Sequence, residues 1–417
     1  MNAIKFTSIN NTNKQILGQM IKLERERLGL TQKKLIMNKA KAQICSTATL
    51  HRLESGQIIK DDTIYHELIH QLGYSFEENP GIDQALPALN EQCMHYFETL
   101  NLIEAERILA YINDLFQTSS FYYRQLKQCY IDIINASLFN KRLTEEEYKF
   151  YKNLLNIMHE SLRILLIHLC FSYANNFLQN LDEMNYYEKL LIQHSDYLLM
   201  RIDFQFILKY NYKLEEFLKL NSSIINECKD KLLLNQWCKA LSSRCSFLSF
   251  FQQPQLNDKV KEVETFIEQN YKQLSPNIIS NVKYAIAMIY YADINDFSNA
   301  KRILEEIFLE NPHRLEASGI YYFSACEMIN ENPKEVIINR ISVNDSNVFL
   351  RYFLFKYQQN WNTAELIQYL NSEILENLKR EKNQTKIKVF KLQWNKILKE
   401  SPNNYYSAYY YFMHNFE

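Results

Sequence analysis

TQKKLIMNKAKAQICSTATLHRLESG, residues Thr31 to Gly56, is the stretch whose pattern decides how the N-terminal part of this chain folds. Thr31 places a hydroxyl where it can cap a helix beginning there, with Leu35 as that helix's buried contact. Ser46 can cap a second helix, because its side-chain oxygen can accept from the amide of Ala48 or Thr49, the free donors of a first turn. Leu50 and Leu53 lie three apart on one face, which leaves Thr47, Ala48, His51 and Arg52 facing outward. Glu54-Ser55-Gly56 then stops the helix. The spacing predicts two short helices crossing at a turn, the second presenting a small polar face.

The neighbouring sequence extends this into a small helical domain. A first helix is expected over about 14–28, after the Asn10–Asn13 run, and a fourth over about 62–72, with Asp61 or Asp62 as cap and Gly73 as stop. YSFEENPG, residues 74–81, reads as a Pro-Gly punctuated linker. The fourth helix contains His66-Glu67-Leu68-Ile69-His70. Histidines at i and i+4 share a helix face and can bind zinc, with Glu67 as the base that activates water, the pattern of a zinc hydrolase. Leu68 and Leu72 are needed for the core of so small a domain and no third ligand is signalled, so both histidines are expected at the surface and no metal is assigned.

Together with LGQMIKLERERLGLTQ, Leu17 to Gln32, the opening stretch resembles the lambda-repressor-like (Xre-type) helix-turn-helix family. The resemblance implies sequence-specific binding of double-stranded DNA, with the helix from Ser46 to Glu54 lying in the major groove. Gln32 would then touch phosphate, Thr47 and Ala48 would meet base edges, and Arg52 would reach bases or backbone. Thr49, His51 and Lys60 complete the DNA-facing set. Arg25 and Glu54 match the family's ion pair between the first and third helices. The segment from Leu35 to Cys45 departs from the pattern: it is longer than the family's usual turn and lacks the glycine expected there, which bears on how the recognition helix is tilted.

Composition bounds the rest. The chain has 417 residues, 47% of them hydrophobic, and a net charge of -1, enough for two or three domains with real cores and far from the regime of disorder. No apolar run approaches the length that spans a bilayer, and MNAIKFTSINNTN lacks a signal-peptide apolar core, so a soluble cytoplasmic protein is expected, with no membrane association. Residues 1–76 carry eleven Lys and Arg against six Asp and Glu, a local excess of five positive charges that suits phosphate contact at one end. Eight cysteines (45, 93, 129, 170, 228, 238, 245, 326) stand scattered among apolar neighbours with no C-x-x-C pair, as reduced buried thiols do.

Glycine usage divides the chain. Five of six glycines fall in the first 81 residues and only Gly319 lies beyond, so the remainder is expected to be nearly all helix. Its clearest unit is Asn281 to Pro312, NVKYAIAMIYYADINDFSNAKRILEEIFLENP, which resembles a tetratricopeptide repeat: Tyr284 and Ala287 in the first helix, Tyr291 near its end, Ala300 at the close helix contact and Pro312 closing, with Met288 where the repeat has glycine. The spacing recurs with Tyr96 and Ala105, with Phe355 and Ala364, over Leu315 to about Asn344 with Lys334 in the alanine slot, and over residues 168–200 with Phe171 and Ala174 inward. The fold class expected is all-α: residues 1–73 a helix-turn-helix domain, 74–87 a linker, and 88–417 a right-handed tetratricopeptide-like solenoid with a concave wall. The terminal SPNNYYSAYYYFMHNFE reads as an aromatic helix that either folds back into the solenoid or meets a second subunit, the second being favoured because it gives a homodimer on two half-sites.

No phosphate-cradling glycine loop and no nucleophile elbow are present, so the chain reads as a sensor without a cofactor rather than an enzyme. A head and body of these kinds look like the peptide-pheromone-responsive regulators of Gram-positive bacteria, the Rap, NprR, PlcR, PrgX and Rgg group. That resemblance implies a cytoplasmic transcription factor of quorum sensing whose concave wall binds a short signalling peptide and thereby modulates DNA binding. Inward asparagines donate and accept at once to an extended backbone, and aromatic pockets take its side chains. By repeat phase the inner wall carries Asn176, Ile289, Phe323, Phe353, Lys356 and Tyr357, with Asn175 adjacent. The alternative is a helix-turn-helix regulator controlled by a protein partner on the same body, for which the wall would be broad and charged rather than narrow and Asn-lined.

Overall fold

In the head, sequence pattern and structure agree closely. The structure, a computed structural model, describes residues 9, 11–37, 42–118, 120–139, 142–156, 158–178, 180–311, 315–342, 346–381 and 383–400. Helix α1 (Asn11–Arg27) buries Ile16, Leu17, Met20 and Ile21, a stripe at helical spacing. Thr31 accepts from the Lys34 amide at 3.3 Å and starts α2 (Gln32–Leu35), which is a single turn. Ser46 accepts from the Thr49 amide at 3.0 Å and starts α3 (Thr47–Glu54), whose Leu50 and Leu53 are fully buried. Asp61 accepts from Thr63 and starts α4 (Asp62–Gln71), which ends where Gly73 takes a φ of +90°. Gly18 sits where α1 meets α3: a Cβ there would lie 2.2 Å from the Leu53 carbonyl oxygen, so the two backbones pack as closely as they do only because it has no side chain.

Past Gly73 the chain is not a loose tether. Phe76 is buried, the Phe121 amide donates to the Ser75 carbonyl at 2.7 Å, and the Ser120 hydroxyl both accepts from the Glu77 amide (3.1 Å) and donates to its carbonyl (3.0 Å). The Tyr74 hydroxyl donates to buried Glu24 of α1 at 2.8 Å, and Arg124 lies over the Tyr74 ring. Residues 80–87, expected as the second half of a linker, are the first two turns of a helix. Asn79 accepts from the Gly81 and Ile82 amides, and Pro80 stands at the first helical position, where its missing N–H costs nothing.

The body is helix after helix, many of them packed on a sequence neighbour, as α5 on α6, α10 on α11 and α15 on α16. The chain divides into two compact units, Met1–Trp237 and Cys238–Glu417. After the head, the first unit holds α5 (Pro80–Thr99), α6 (Leu102–Leu115), α7 (Phe121–Phe139), α8 (Glu145–Leu154), α9 (Glu160–Tyr173), α10 (Leu181–Gln193), α11 (Leu198–Tyr210) and α12 (Leu214–Asp230). A π-helical turn, Ala174–Leu178, extends α9. One apolar core runs from Ile9 through Ile207, so head and following helices share an interior. Helix α13 (Leu234–Phe250) carries the division. The second unit continues with α14 (Leu256–Asn270), α15 (Pro276–Ile289), α16 (Phe297–Glu310), α17 (Leu315–Met328), α18 (Glu335–Ile338), α19 (Val348–Tyr357), α20 (Thr363–Tyr369), α21 (Leu375–Glu381) and α22 (Gln384–Glu400).

The fold is all-α, with no strand among the described residues. Tight turns without glycine are made by L-residues in the left-handed region, at Leu100, Tyr212, Leu232, Gln252, Asn295, Asn330 and Asn360. The repeat phase appears as shared packing. Ala105 and Ala300 are fully buried at helix crossings, and Tyr96 and Tyr291 each bond a serine of a later helix, Ser137 at 2.9 Å and Ser324 at 2.7 Å. Phe171 and Ala174 are buried as the phase requires. Two assignments are corrected. Ala364 is exposed, because α20 turns Leu366 and Ile367 inward instead, and the second helix of the Leu315 unit is one turn, with Lys334 as its cap rather than in an alanine slot. Pro312 and the aromatic stretch 401–417 lie outside the described residues.

Candidate functional site

The polar face of α3 is held from behind by a buried network. Arg25 Nε donates to Glu54 Oε1 at 2.5 Å and its Nη2 to Oε2 at 3.0 Å, while Nη1 donates to the Leu30 carbonyl at 2.9 Å. Both side chains are nearly sealed from solvent. The hydrogen bond to Glu54 raises the Arg25 guanidinium above its already high value, so Arg25 stays charged. Gln32 Nε2 donates to the same carboxylate at 2.7 Å and so links the start of α2 to the end of α3. This half-buried glutamine, expected at phosphate, spends one amide hydrogen on the brace and keeps the other.

On the opposite side Thr47, Ala48, His51 and Arg52 are exposed together, and Lys60 is exposed beyond the end of the helix. Thr49 is half-buried, its hydroxyl 2.9 Å from that of Ser46, so it serves the cap. The long turn before α3 closes on itself: the Ile44 amide donates to the Ile36 carbonyl at 2.8 Å, Met37 and Gln43 form a β-bridge, and Gln71 of α4 donates to the Met37 carbonyl at 3.0 Å. Helix α2 packs against α3.

His66 corrects an expectation. It is buried, with its ring 5.7 Å from that of Phe76, because the segment after Gly73 covers it; His70 is exposed as expected. Among the described residues no three His, Cys, Asp or Glu side chains come together as a metal would need.

The body residues fall into two places. Asn175 and Asn176 lie in the π-helical turn Ala174–Leu178 of the first unit, Asn175 half-buried and Asn176 exposed, with Asn175 Nδ2 donating to Asn176 Oδ1 at 3.1 Å. Phe323, Phe353, Lys356 and Tyr357 come together in the second unit. Phe323 stacks on Phe353 (5.5 Å, 15°) and on Tyr357 (5.6 Å, 22°), and both phenylalanines are fully buried, so the surface of this cluster is left to half-buried Lys356 and Tyr357.

Sequence reasoning missed the centre of that cluster, Glu327. Lys356 Nζ (2.5 Å), the Tyr357 hydroxyl (2.8 Å) and Gln393 Nε2 of α22 (2.7 Å) all donate to its carboxylate. Burial, and then the adjacent carboxylate, hold the Tyr357 hydroxyl well above its ordinary value, so it remains a donor. The available signal was a lone acid in the apolar run Ile320–Met328. A buried carboxylate needs partners, and none was offered on its own helix.

The sequence matches no family model and no curated protein. Among solved structures it is similar to ComR from S. thermophilus, determined in complex with DNA and its signalling peptide ComS. That likeness has 13% sequence identity and a TM-score of 0.35, over 66% of this chain and 99% of that one. At that level the likeness carries no argument, and the geometry of α3 and of the helical body stands as the ground for a function.

Proposed function

We propose that the chain is a DNA-binding transcriptional regulator whose helical body binds a short signalling peptide that modulates DNA binding. The observation that carries this reading is the division of α3 into two faces. One is fixed by Leu50, Leu53 and the Arg25–Glu54–Gln32 brace; the other offers Thr47, Ala48, His51 and Arg52 to solvent with no internal role to explain them. A short helix with a polar outer face, rigidly backed and set in a head carrying surplus positive charge, suits entry into a major groove.

Lys60 and the second amide hydrogen of Gln32 supply phosphate contacts on this reading. Asn175, Asn176, Lys356 and Tyr357 supply peptide contacts, while Phe323 and Phe353 support Tyr357 from beneath. The protein acts in the cytoplasm, as a homodimer on paired half-sites, with residues 1–73 as the DNA-binding domain and the helices after the linker segment as the sensor, and it is not an enzyme. Selection from a randomised double-stranded DNA pool by the full-length chain tests the reading. An enriched motif with paired half-sites is expected, and a pool that stays random after repeated rounds refutes it.

A further inference from the structure

We propose that the π-helical turn Ala174–Leu178, with Arg142 laid against it, is the contact site for the C-terminal end of a peptide, taking its free carboxylate and an apolar last side chain. The proposal rests on the peptide reading above and gives it a place and a ligand chemistry. A π-helical turn inserts a residue into the helical ladder and is found disproportionately at functional sites; of the three among the described residues, Ala174–Leu178, Tyr290–Ile294 and Leu370–Ile374, this is the one with Arg142 laid against it. Here it turns apolar groups outward: Phe177 is 44% exposed, and Leu181, just past the turn, is 62% exposed, with Leu178 between them.

Arg142 lies with its guanidinium carbon 4.2 Å from the Phe177 ring centroid. The ring is fixed from behind by Tyr173 at 5.4 Å, itself stacked on Tyr148 at 4.8 Å. Arg142 is exposed, and among the described residues no carboxylate lies within ion-pair distance of it. A guanidinium placed over an aromatic face still has N–H groups to offer, in the fork that fits one carboxylate with two bonds. The bond between Asn175 and Asn176 leaves Asn175 Oδ1 to accept and Asn176 Nδ2 to donate, side by side, the complement of one peptide unit. Apolar surface, cation and paired amide groups therefore share one short turn, with Arg142 laid against Phe177 and the two asparagines just before it, the three kinds of group that a peptide's last side chain, its carboxylate and the amide before them require. Glu145, Glu146 and Glu147 follow Arg142 in the first turn of α8, which disfavours a polyanion and leaves room for a single negative charge.

The test is affinity selection by the full-length chain from two pools of random octapeptides, one with free C-terminal carboxylates and one amidated, read by mass spectrometry. The expected result is retention of free-acid peptides ending in apolar residues, at about tenfold or more over their amidated counterparts. Arg142→Gln abolishes the acid-over-amide preference, and Phe177→Ala reduces the preference for an apolar last residue while keeping the acid preference. Peptides retained by the wild type without either preference, or with an acid preference that survives Arg142→Gln, overturn this site while leaving the peptide reading intact. Retention of nothing from either pool overturns both. Both substitutions are at exposed positions, and unchanged circular dichroism confirms that a lost preference is not a lost fold.

Discussion

Arg25→Met is predicted to destabilise the head by far more than loss of a surface ion pair. Arg25 makes four hydrogen bonds, two to Glu54, one to the Leu30 carbonyl and one to exposed Glu26, and the Glu54 side chain is only 4% exposed. Methionine fills much of the volume but leaves the carboxylate buried with Gln32 as its remaining side-chain donor. Stranding one member of a buried pair costs about 3–5 kcal/mol. In Arg25→Met/Glu54→Leu no buried charge is stranded; what remains is the Leu30 carbonyl without its guanidinium, worth about 1–3 kcal/mol, and the Gln32 amide without its carboxylate, which at its half-buried position water can satisfy. The double variant should therefore be more stable than Arg25→Met alone. Native-state hydrogen exchange at the Leu50 and Leu53 amides reads the opening free energy of α3 directly, and urea unfolding reads its effect on the first unit. A cost below about 1 kcal/mol for Arg25→Met, or a double variant as unstable as the two single losses added, refutes the brace as described.

Gly18→Ala should separate α1 from α3, since its Cβ would meet backbone rather than a yielding side chain; a loss of about 1–3 kcal/mol in urea unfolding, with weakened DNA binding, is expected. Tyr74→Phe removes a donor from buried Glu24 and should cost about 1–3 kcal/mol, detected as faster exchange in α1 and at residues 74–79. Acid should loosen the head. Burial alone would raise the Glu24 carboxyl, but bonds from Arg27 and Tyr74 outweigh it and hold it below its ordinary value; Asp62 is lowered in the same way, against burial, by Lys14 and the Ile9 amide. Unfolded carboxyls take up protons first as pH falls through about 4, so this stability is intact above that pH and is lost as pH falls further, through the folded values. The exchange protection of α1 should accordingly be flat from neutral pH to about 5 and fall below about 4, and Glu24→Gln should flatten that fall.

What was legible in the sequence was local. The caps Thr31, Ser46 and Asp61 could be read because a cap's donor lies two or three residues away, and the buried pairs Tyr96/Ala105 and Tyr291/Ala300 because helix phase dictates them. Arg25–Glu54 came by resemblance, not from spacing, and Gln32's place in that brace did not come at all. The anchoring of residues 74–79 was missed because its partners are distant in sequence. Tyr74 finds Glu24 and Phe121, Ser120 finds Glu77, and nothing in a Pro-Gly punctuated octapeptide announces a partner some forty residues on. The burial of His66 follows from that same anchoring. Ala364 misled because an alanine at repeat spacing is the same letter whether it faces a neighbouring helix or solvent.

The central claim is that the outer face of α3 reads base pairs, and the most direct measurement is the affinity of wild type and Arg52→Ala for a selected operator and for random duplex DNA at one fixed salt concentration. The account predicts that Arg52→Ala weakens operator binding by about 1–3 kcal/mol and changes binding to random DNA much less. Equal losses on both duplexes would contradict base reading by Arg52, and no loss on either would remove α3 from the interface.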